Sequence, residues 1–266
     1  MGNPVSNVKK YEKKERNSRM PKAVMFDCYN TLLCYESEED RDGIWEMLKK
    51  AIEYVTEKEV CTTAEELETL YKKACIQEER ESRNERGIYA EVYLRRAWKN
   101  VLLKLKIPIE IAEEKAEDIL LLHRVYARKE KHLFPKVQKE LITLKERGIK
   151  LLLLSNAQCC FIYNELPKET RELFDEVLIS EEMGIKKPSE ELFRIAFERL
   201  GIKPEEVVFV GDSAEDDMIP AGKLGCECIM IGKNKRKEEE LSHVIHFNPY
   251  VKDGYAGFSD VVANLN

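Results

Sequence analysis

Two apolar runs, each ending in carboxylates, constrain the fold of this chain more than any other feature. Ala23-Val24-Met25-Phe26 leads into Asp27-Cys28-Tyr29-Asn30-Thr31, and Val207-Val208-Phe209-Val210 leads through Gly211 into Asp212-Ser213-Ala214-Glu215-Asp216-Asp217. A short, continuous apolar run bounded by turn formers suits a strand buried on both faces, as in a parallel sheet covered by helices. Two such strands lying parallel bring Asp27 and the second acidic cluster to one sheet edge. Three carboxylates there repel one another unless a hard cation lies among them, and an all-oxygen donor set suits Mg²⁺. Asp27 is therefore a candidate nucleophile and this edge a candidate metal-assisted site.

The pattern from Phe134-Pro135 onward is consistent with such a sheet. An amphipathic helix is predicted over 137–146, stopped by Gly148, and a buried strand over 149–154 that ends at Ser155-Asn156. Further strands are predicted over 177–180, 207–210, 228–231 and 244–247. Helices over 189–200 and 219–224 are stopped by Gly201 and Gly225. The fold class is α/β, a Rossmann-like doubly wound parallel sheet whose ligand crevice lies at the carboxyl ends of the strands. Between 36 and 129 the buried-strand pattern disappears and helical spacing replaces it. Ile44, Met47, Leu48, Ala51, Ile52 and Val55 form one stripe; Val92, Leu94, Ala97, Trp98, Val101, Leu102 and Leu105 form another. Pro108 breaks the pattern, and 111–126 reads as the returning helix. The expected organisation is a tail over 1–19, a core over 20–35 and 130–266, and an inserted helical domain over 36–129.

Composition narrows the function. With 43% hydrophobic and 35% charged residues the chain is globular, and a formal charge of -6 argues against nucleic-acid binding. Eight scattered cysteines without a pair of CxxC units read as reduced thiols of a cytoplasmic protein. No apolar run approaches a membrane span, and membrane contact is not expected. Lys9, Lys10, Lys13, Lys14, Arg16 and Arg19 face only Glu12 and Glu15, which marks 1–19 as a disordered basic tail. Its opening, Met1-Gly2-Asn3-Pro4-Val5-Ser6, fits the short myristoylation pattern; the bland alternative is a plain extension before Met20. His123, His132, His243 and His246 have no partner spacing and read as structural or exposed.

Four pieces now stand in order: Asp27 with Thr31, Ser155 with Asn156, Lys187 before Pro188, and Asp212 with Asp217. This ordered set resembles the haloacid dehalogenase superfamily over about 21–33 and 133–235, with the helical insertion where that family carries a cap. The resemblance implies that Asp27 attacks the electrophilic centre and forms a covalent aspartyl intermediate. It implies that Thr31 and Ser155 hold phosphoryl oxygens, that Asn156 belongs to the same site, and that Lys187 neutralises charge. Mg²⁺ is then held by Asp27, the Tyr29 carbonyl and Asp212, with Asp217 in support, and the substrate is a small phosphorylated molecule.

One position departs from the family pattern. Its phosphatases usually carry a second Asp two residues after the nucleophile as acid and base; here that residue is Tyr29. A phenol with a reference pKa near ~10 deprotonates water poorly near neutrality. Tyr at this place resembles the L-2-haloacid dehalogenase branch, in which halide leaves without a proton. That branch also needs an early cap arginine, for which only Lys72, Lys73 and Arg80 are near, and Asp212 would repel a carboxylate substrate. A Mg²⁺-dependent phosphohydrolase with a preference for good leaving groups is the expectation, ahead of a dehalogenase or a catalytically silent binding protein. Tyr89, Tyr93, Arg95 and Arg96 are further candidates to face the site, with helix packing as the alternative.

Overall fold

The computed structural model describes residues 20–39, 41–231, 244–247, 250–251, 254–255, 262–263 and 265. The expectations for the tail over 1–19 and its acylation lie outside the described residues. In chain order the main elements are β1 (Ala23–Phe26), β2 (Leu33–Ser37), α1 (Ile44–Thr56), α2 (Ala64–Arg86), α3 (Leu94–Lys104) and α4 (Ile109–Ala127). There follow β3 (Arg128–Leu133), α5 (Val137–Glu146), β4 (Lys150–Ser155), α6 (Cys159–Glu165), α7 (Lys168–Arg171), β5 (Glu176–Ile179) and α8 (Ser180–Met183). The last group is α9 (Glu190–Leu200), β6 (Val207–Gly211), α10 (Ile219–Lys223), β7 (Glu227–Ile231) and β8 (Val244–Phe247).

Six parallel strands form one sheet in the order β5-β4-β1-β6-β7-β8. All four residues of β1 are buried, as a central strand covered on both faces requires. Alternation along that strand divides the core in two. Val24 and Phe26 pack on one face with Leu141, Leu144 and Leu153, while Ala23 and Met25 pack on the other with Phe193, Phe197 and Phe209. Because β1 has β4 on one side and β6 on the other, the strand order reverses beside its carboxyl end, where the crevice of a doubly wound sheet opens.

Helices α1 to α4 pack on one another around Trp45, Tyr71, Trp98 and His123, with the Tyr71 and Trp98 rings stacked at 4.6 Å. Phe161 of α6 joins this cluster and connects it to the sheet. The predicted stripe on α1 holds except at Met47, which is 40% exposed. Thr63 and Glu66 close a capping box at the start of α2. Sequence patterning did not reveal β2 and β3, which pair as an antiparallel ribbon at the two ends of the helical segment.

Candidate active site

Asp27 follows β1 directly, and its amide donates to the Val210 carbonyl at 2.9 Å, so the ends of β1 and β6 are tied together. The chain then turns sharply: the amides of Thr31, Leu32 and Leu33 all donate to the Cys28 carbonyl. Asn30 sits at φ 58° in this turn, a left-handed conformation that Asn tolerates better than most residues. Thr31 thereby comes back beside Asp27, its hydroxyl 3.4 Å from Oδ2.

Lys187 is the charged centre of the site. Its Nζ donates to Asp27 Oδ1 at 2.6 Å and to Asp217 Oδ1 at 2.7 Å, and its side chain is 3% exposed. Burial opposes its charge, but Asp217 and Asp27 outweigh burial and hold the ammonium above the ordinary lysine value. Asn156 fixes the backbone that carries it, accepting from the Lys187 amide at 2.8 Å and donating to the Lys187 carbonyl at 3.0 Å. Asp217 is held in turn by the Ser213 amide at 3.0 Å. A Cβ at Gly211 would overlap the Asp217 carboxylate, so the strand must end in glycine for that side chain to lie against it.

Carboxylate oxygens of Asp27, Asp212 and Asp217 lie within 4.8 Å of one another. Burial, followed by the charges of Asp27 and Asp217, pushes Asp212 up to about 8. Burial also pushes Asp217 up to about 6, against the pull of Lys187. A single lysine therefore leaves this cluster with excess negative charge, and three hard oxygen donors fit a Mg²⁺-class ion. The Ser155 hydroxyl, at the end of β4, is fully buried with no hydrogen-bond partner among the described residues. An orphaned buried donor at a strand terminus is suited to a ligand oxygen.

A cavity of about 540 Å³ opens over these strand ends, lined by Tyr29, Arg124, Asn156, Phe161 and Lys187 among others. A larger one of about 740 Å³ lies beside α2 and is lined by Lys73 but by none of the residues of the acidic cluster. The Tyr29 hydroxyl donates to Glu165 Oε2 at 2.6 Å, and the Arg124 guanidinium grips the same carboxylate through Nε at 2.9 Å and Nη2 at 3.0 Å. Arg124 also stacks 3.4 Å from the Tyr35 ring centre and 4.4 Å from that of Phe161. Desolvation, with Glu165 adding to it, holds the Tyr29 phenol well above its ordinary value.

Sequence reasoning missed Arg124 and Glu165, and no short motif marks either. It looked for the insertion's cation at Lys72, Lys73 or Arg80; all three are exposed on α2, and Lys72 pairs with Glu68. The arginine that reaches the cavity comes instead from the returning helix α4. Tyr89, Tyr93, Arg95 and Arg96 do not line this cavity; Glu91 and Leu94 do.

The haloacid dehalogenase-like hydrolase family model matches residues 21–225. The chain is 33% identical over 133 residues to glyceraldehyde 3-phosphate phosphatase of Methanocaldococcus jannaschii, covering 50% of this chain and 57% of that protein. It is 30% identical over 114 residues to (S)-2-haloacid dehalogenase 4A of Burkholderia cepacia, covering 42% and 49%. The matched segment thus spans about half the length of these relatives. The solved 2-haloacid dehalogenase from Pseudomonas syringae pv. Tomato DC3000 superposes with a TM-score of 0.62 at 20% identity, over 93% of this chain and 100% of that one, and shares its fold. With the family model covering most of its length, the chain belongs to the haloacid dehalogenase-like hydrolases.

Proposed function

We propose that this hydrolase is a Mg²⁺-dependent phosphohydrolase acting on a small phosphorylated metabolite, with Asp27 as nucleophile. The observation that carries this reading is the cluster of Asp27, Asp212 and Asp217 around Lys187, an electrostatic arrangement made for an anionic substrate together with a hard cation. A bound Mg²⁺ would be held by Asp27, the Tyr29 carbonyl, Asp212 and Asp217, and would supply positive charge opposite the phosphoryl oxygens.

The chain's own groups perform the rest. Asp27 Oδ attacks phosphorus as the bond to the leaving oxygen breaks, giving an aspartyl phosphate; water then cleaves the P–O bond to release phosphate and restore the carboxylate. Lys187 aims the Asp27 carboxylate through its 2.6 Å contact with Oδ1. Thr31 and Ser155 donate to the phosphoryl oxygens, and Asn156 holds the Lys187 loop in place. The helical segment serves as the cap over the crevice, with Arg124 and Leu94 its contributions to the cavity wall. Free thiols throughout suit a cytoplasmic setting.

Dehalogenation is the second reading, favoured by Tyr29 and by the Burkholderia relative. Against it, Asp212 completes an all-oxygen donor set that a metal-free dehalogenation does not call for, and Arg124 is already engaged by Glu165. A paired assay decides. Phosphate release from an aryl or acyl phosphate is measured with Mg²⁺ or EDTA, beside halide release from a 2-haloacid, in wild type and Asp27→Asn. Mg²⁺-dependent phosphate release that disappears in folded Asp27→Asn is expected. EDTA-insensitive halide release would replace this reading with the dehalogenase one, and silence in both arms would leave a binding protein.

A further inference from the structure

The ribbon of β2 and β3 is where the chain leaves the sheet for the helical layer and where it returns. Cys34 stands directly opposite His132 across this ribbon, and Glu36 opposite Glu130. Because side chains alternate along a strand, these four share one face, while Leu33 and Tyr35 occupy the other. The Cys34 sulfur, a Glu130 carboxylate oxygen and a His132 ring nitrogen lie within 4.8 Å of one another. His132 Nδ1 is 3.2 Å from Glu130 Oε1. Cys34 is buried and fixed, whereas Glu130 and His132 are about half exposed and able to swing toward it.

Ordinary ribbon packing leaves two features of this face unexplained. Placing Glu36 opposite Glu130 sets like charges on a cross-strand pair, which weakens a two-stranded ribbon. Among the described residues neither carboxylate forms an ion pair with a lysine or arginine; the partner of Glu130 is His132. The thiol is not engaged in a disulfide, and burial together with the nearby charges of Glu130 and Glu36 raises it above its ordinary value. The face thus combines a sulfur, an imidazole nitrogen and a carboxylate oxygen with surplus negative charge. Hard ions such as Mg²⁺ and Ca²⁺ take oxygen donors; a mixed S, N and O set suits a borderline ion, Zn²⁺ above all.

We propose that Cys34, Glu130 and His132 form a second metal site, for Zn²⁺ or a like borderline divalent ion, with water in the fourth position. Bonds of about 2.0 to 2.3 Å need the three donors to draw together by roughly an ångström, within reach of two half-exposed side chains. The ion offsets the Glu36 and Glu130 charges and joins the outgoing strand to the returning one at the stalk of the helical layer. This site is separate from the oxygen cluster at Asp27, and the two differ in the ions they select.

Co²⁺ titration of the reduced full-length chain tests this, since cobalt bound by a thiolate shows a near-ultraviolet sulfur-to-metal band that an all-oxygen site lacks. Wild type is expected to bind one such Co²⁺ per chain, displaced by Zn²⁺ and not by excess Mg²⁺. Cys34→Ser removes the band, and His132→Gln and Glu130→Gln each weaken binding by roughly tenfold or more. Cys61→Ser, altering an exposed thiol elsewhere, leaves it intact. A band that survives Cys34→Ser, affinity unchanged in both His132→Gln and Glu130→Gln, or no band at millimolar Co²⁺ overturns the site. Glu130 and His132 lie on the surface, so their variants decide the question even if Cys34→Ser folds poorly.

Discussion

Under the Mg²⁺-dependent reading, the carboxylate cluster makes the stability of the protein depend on pH and metal together. Asp212 is pushed from 3.8 to about 8, by burial first and then by Asp27 and Asp217. Between those values the folded state holds a proton that the unfolded state has released, so metal-free stability falls as pH rises from about 4 toward 8. At about 1.4 kcal/mol per pH unit the loss is at most about 6 kcal/mol, an upper bound because Asp212 retains partial contact with solvent. Asp217, pushed up to about 6, adds to the slope in the lower part of the window. Under the same reading, Mg²⁺ competes with that proton. At pH 8 and a hundred times its Kd, Mg²⁺ stabilises by about 2.7 kcal/mol, or roughly 5 to 11 °C in Tm for a chain of this size. At pH 6 the proton on Asp212 weakens binding by about fiftyfold relative to pH 8, where half of the groups are already ionised, and the same Mg²⁺ concentration adds only about 0.6 kcal/mol. Thermal unfolding at both pH values, in Mg²⁺ and in EDTA, measures this directly. Asp212→Asn should raise the metal-free Tm at pH 8 and abolish the Mg²⁺ response. Equal metal shifts at pH 6 and pH 8, or a full response in Asp212→Asn, would refute the reasoning.

Three further outcomes follow from neighbouring contacts. Glu165→Leu leaves the part-buried Arg124 guanidinium and the Tyr29 hydroxyl without their acceptor and should cost about 3 kcal/mol in urea unfolding; adding Arg124→Met should recover at least about 1 kcal/mol, and simple additivity would show that the pair is not coupled. Gly211→Ala drives a methyl into the Asp217 carboxylate, so the expected result is a loss of about 1 to 3 kcal/mol together with a weakened Mg²⁺ shift; wild-type behaviour in both measurements would contradict that packing. Tyr29→Asp restores a carboxyl where the phenol now stands and should raise turnover on ordinary phosphate monoesters by about 100-fold, an effect that steady-state kinetics would either find or exclude.

The parallel sheet was legible because each strand is a short apolar run closed by a turn former, and the structure places β5, β7 and β8 within a residue or so of the expected bounds. The strand-end position of the candidate site's main residues was legible for the same reason. Asp27, Ser155 and Asp212 all directly end or follow strands, so the topology alone gathers them at one edge. The β2–β3 ribbon was not legible. Arg128 to Leu133 is almost wholly polar, and its pairing partner lies across the entire helical segment, so no local period announces it. The Cys34 neighbour of His132 and the Glu165 partner of Arg124 were hidden likewise, since each is met only through long-range folding.

Tyr29 is where sequence and structure must be read together. The sequence shows an acid replaced by a phenol and stops there. In the fold that phenol donates to Glu165, which is itself held by both arms of Arg124, and desolvation keeps the phenol protonated. A hydroxyl committed in this way is poorly placed to hand its proton to a departing alkoxide and to regain it from water. Under the phosphohydrolase reading, the reaction must then rely on a leaving group that departs as a stable anion, such as a carboxylate or phosphate, which needs no proton. Activity concentrated on acyl phosphates and anhydrides would therefore fall away sharply as the pKa of the leaving group rises. A rate nearly insensitive to that pKa would place an effective acid elsewhere in the cavity.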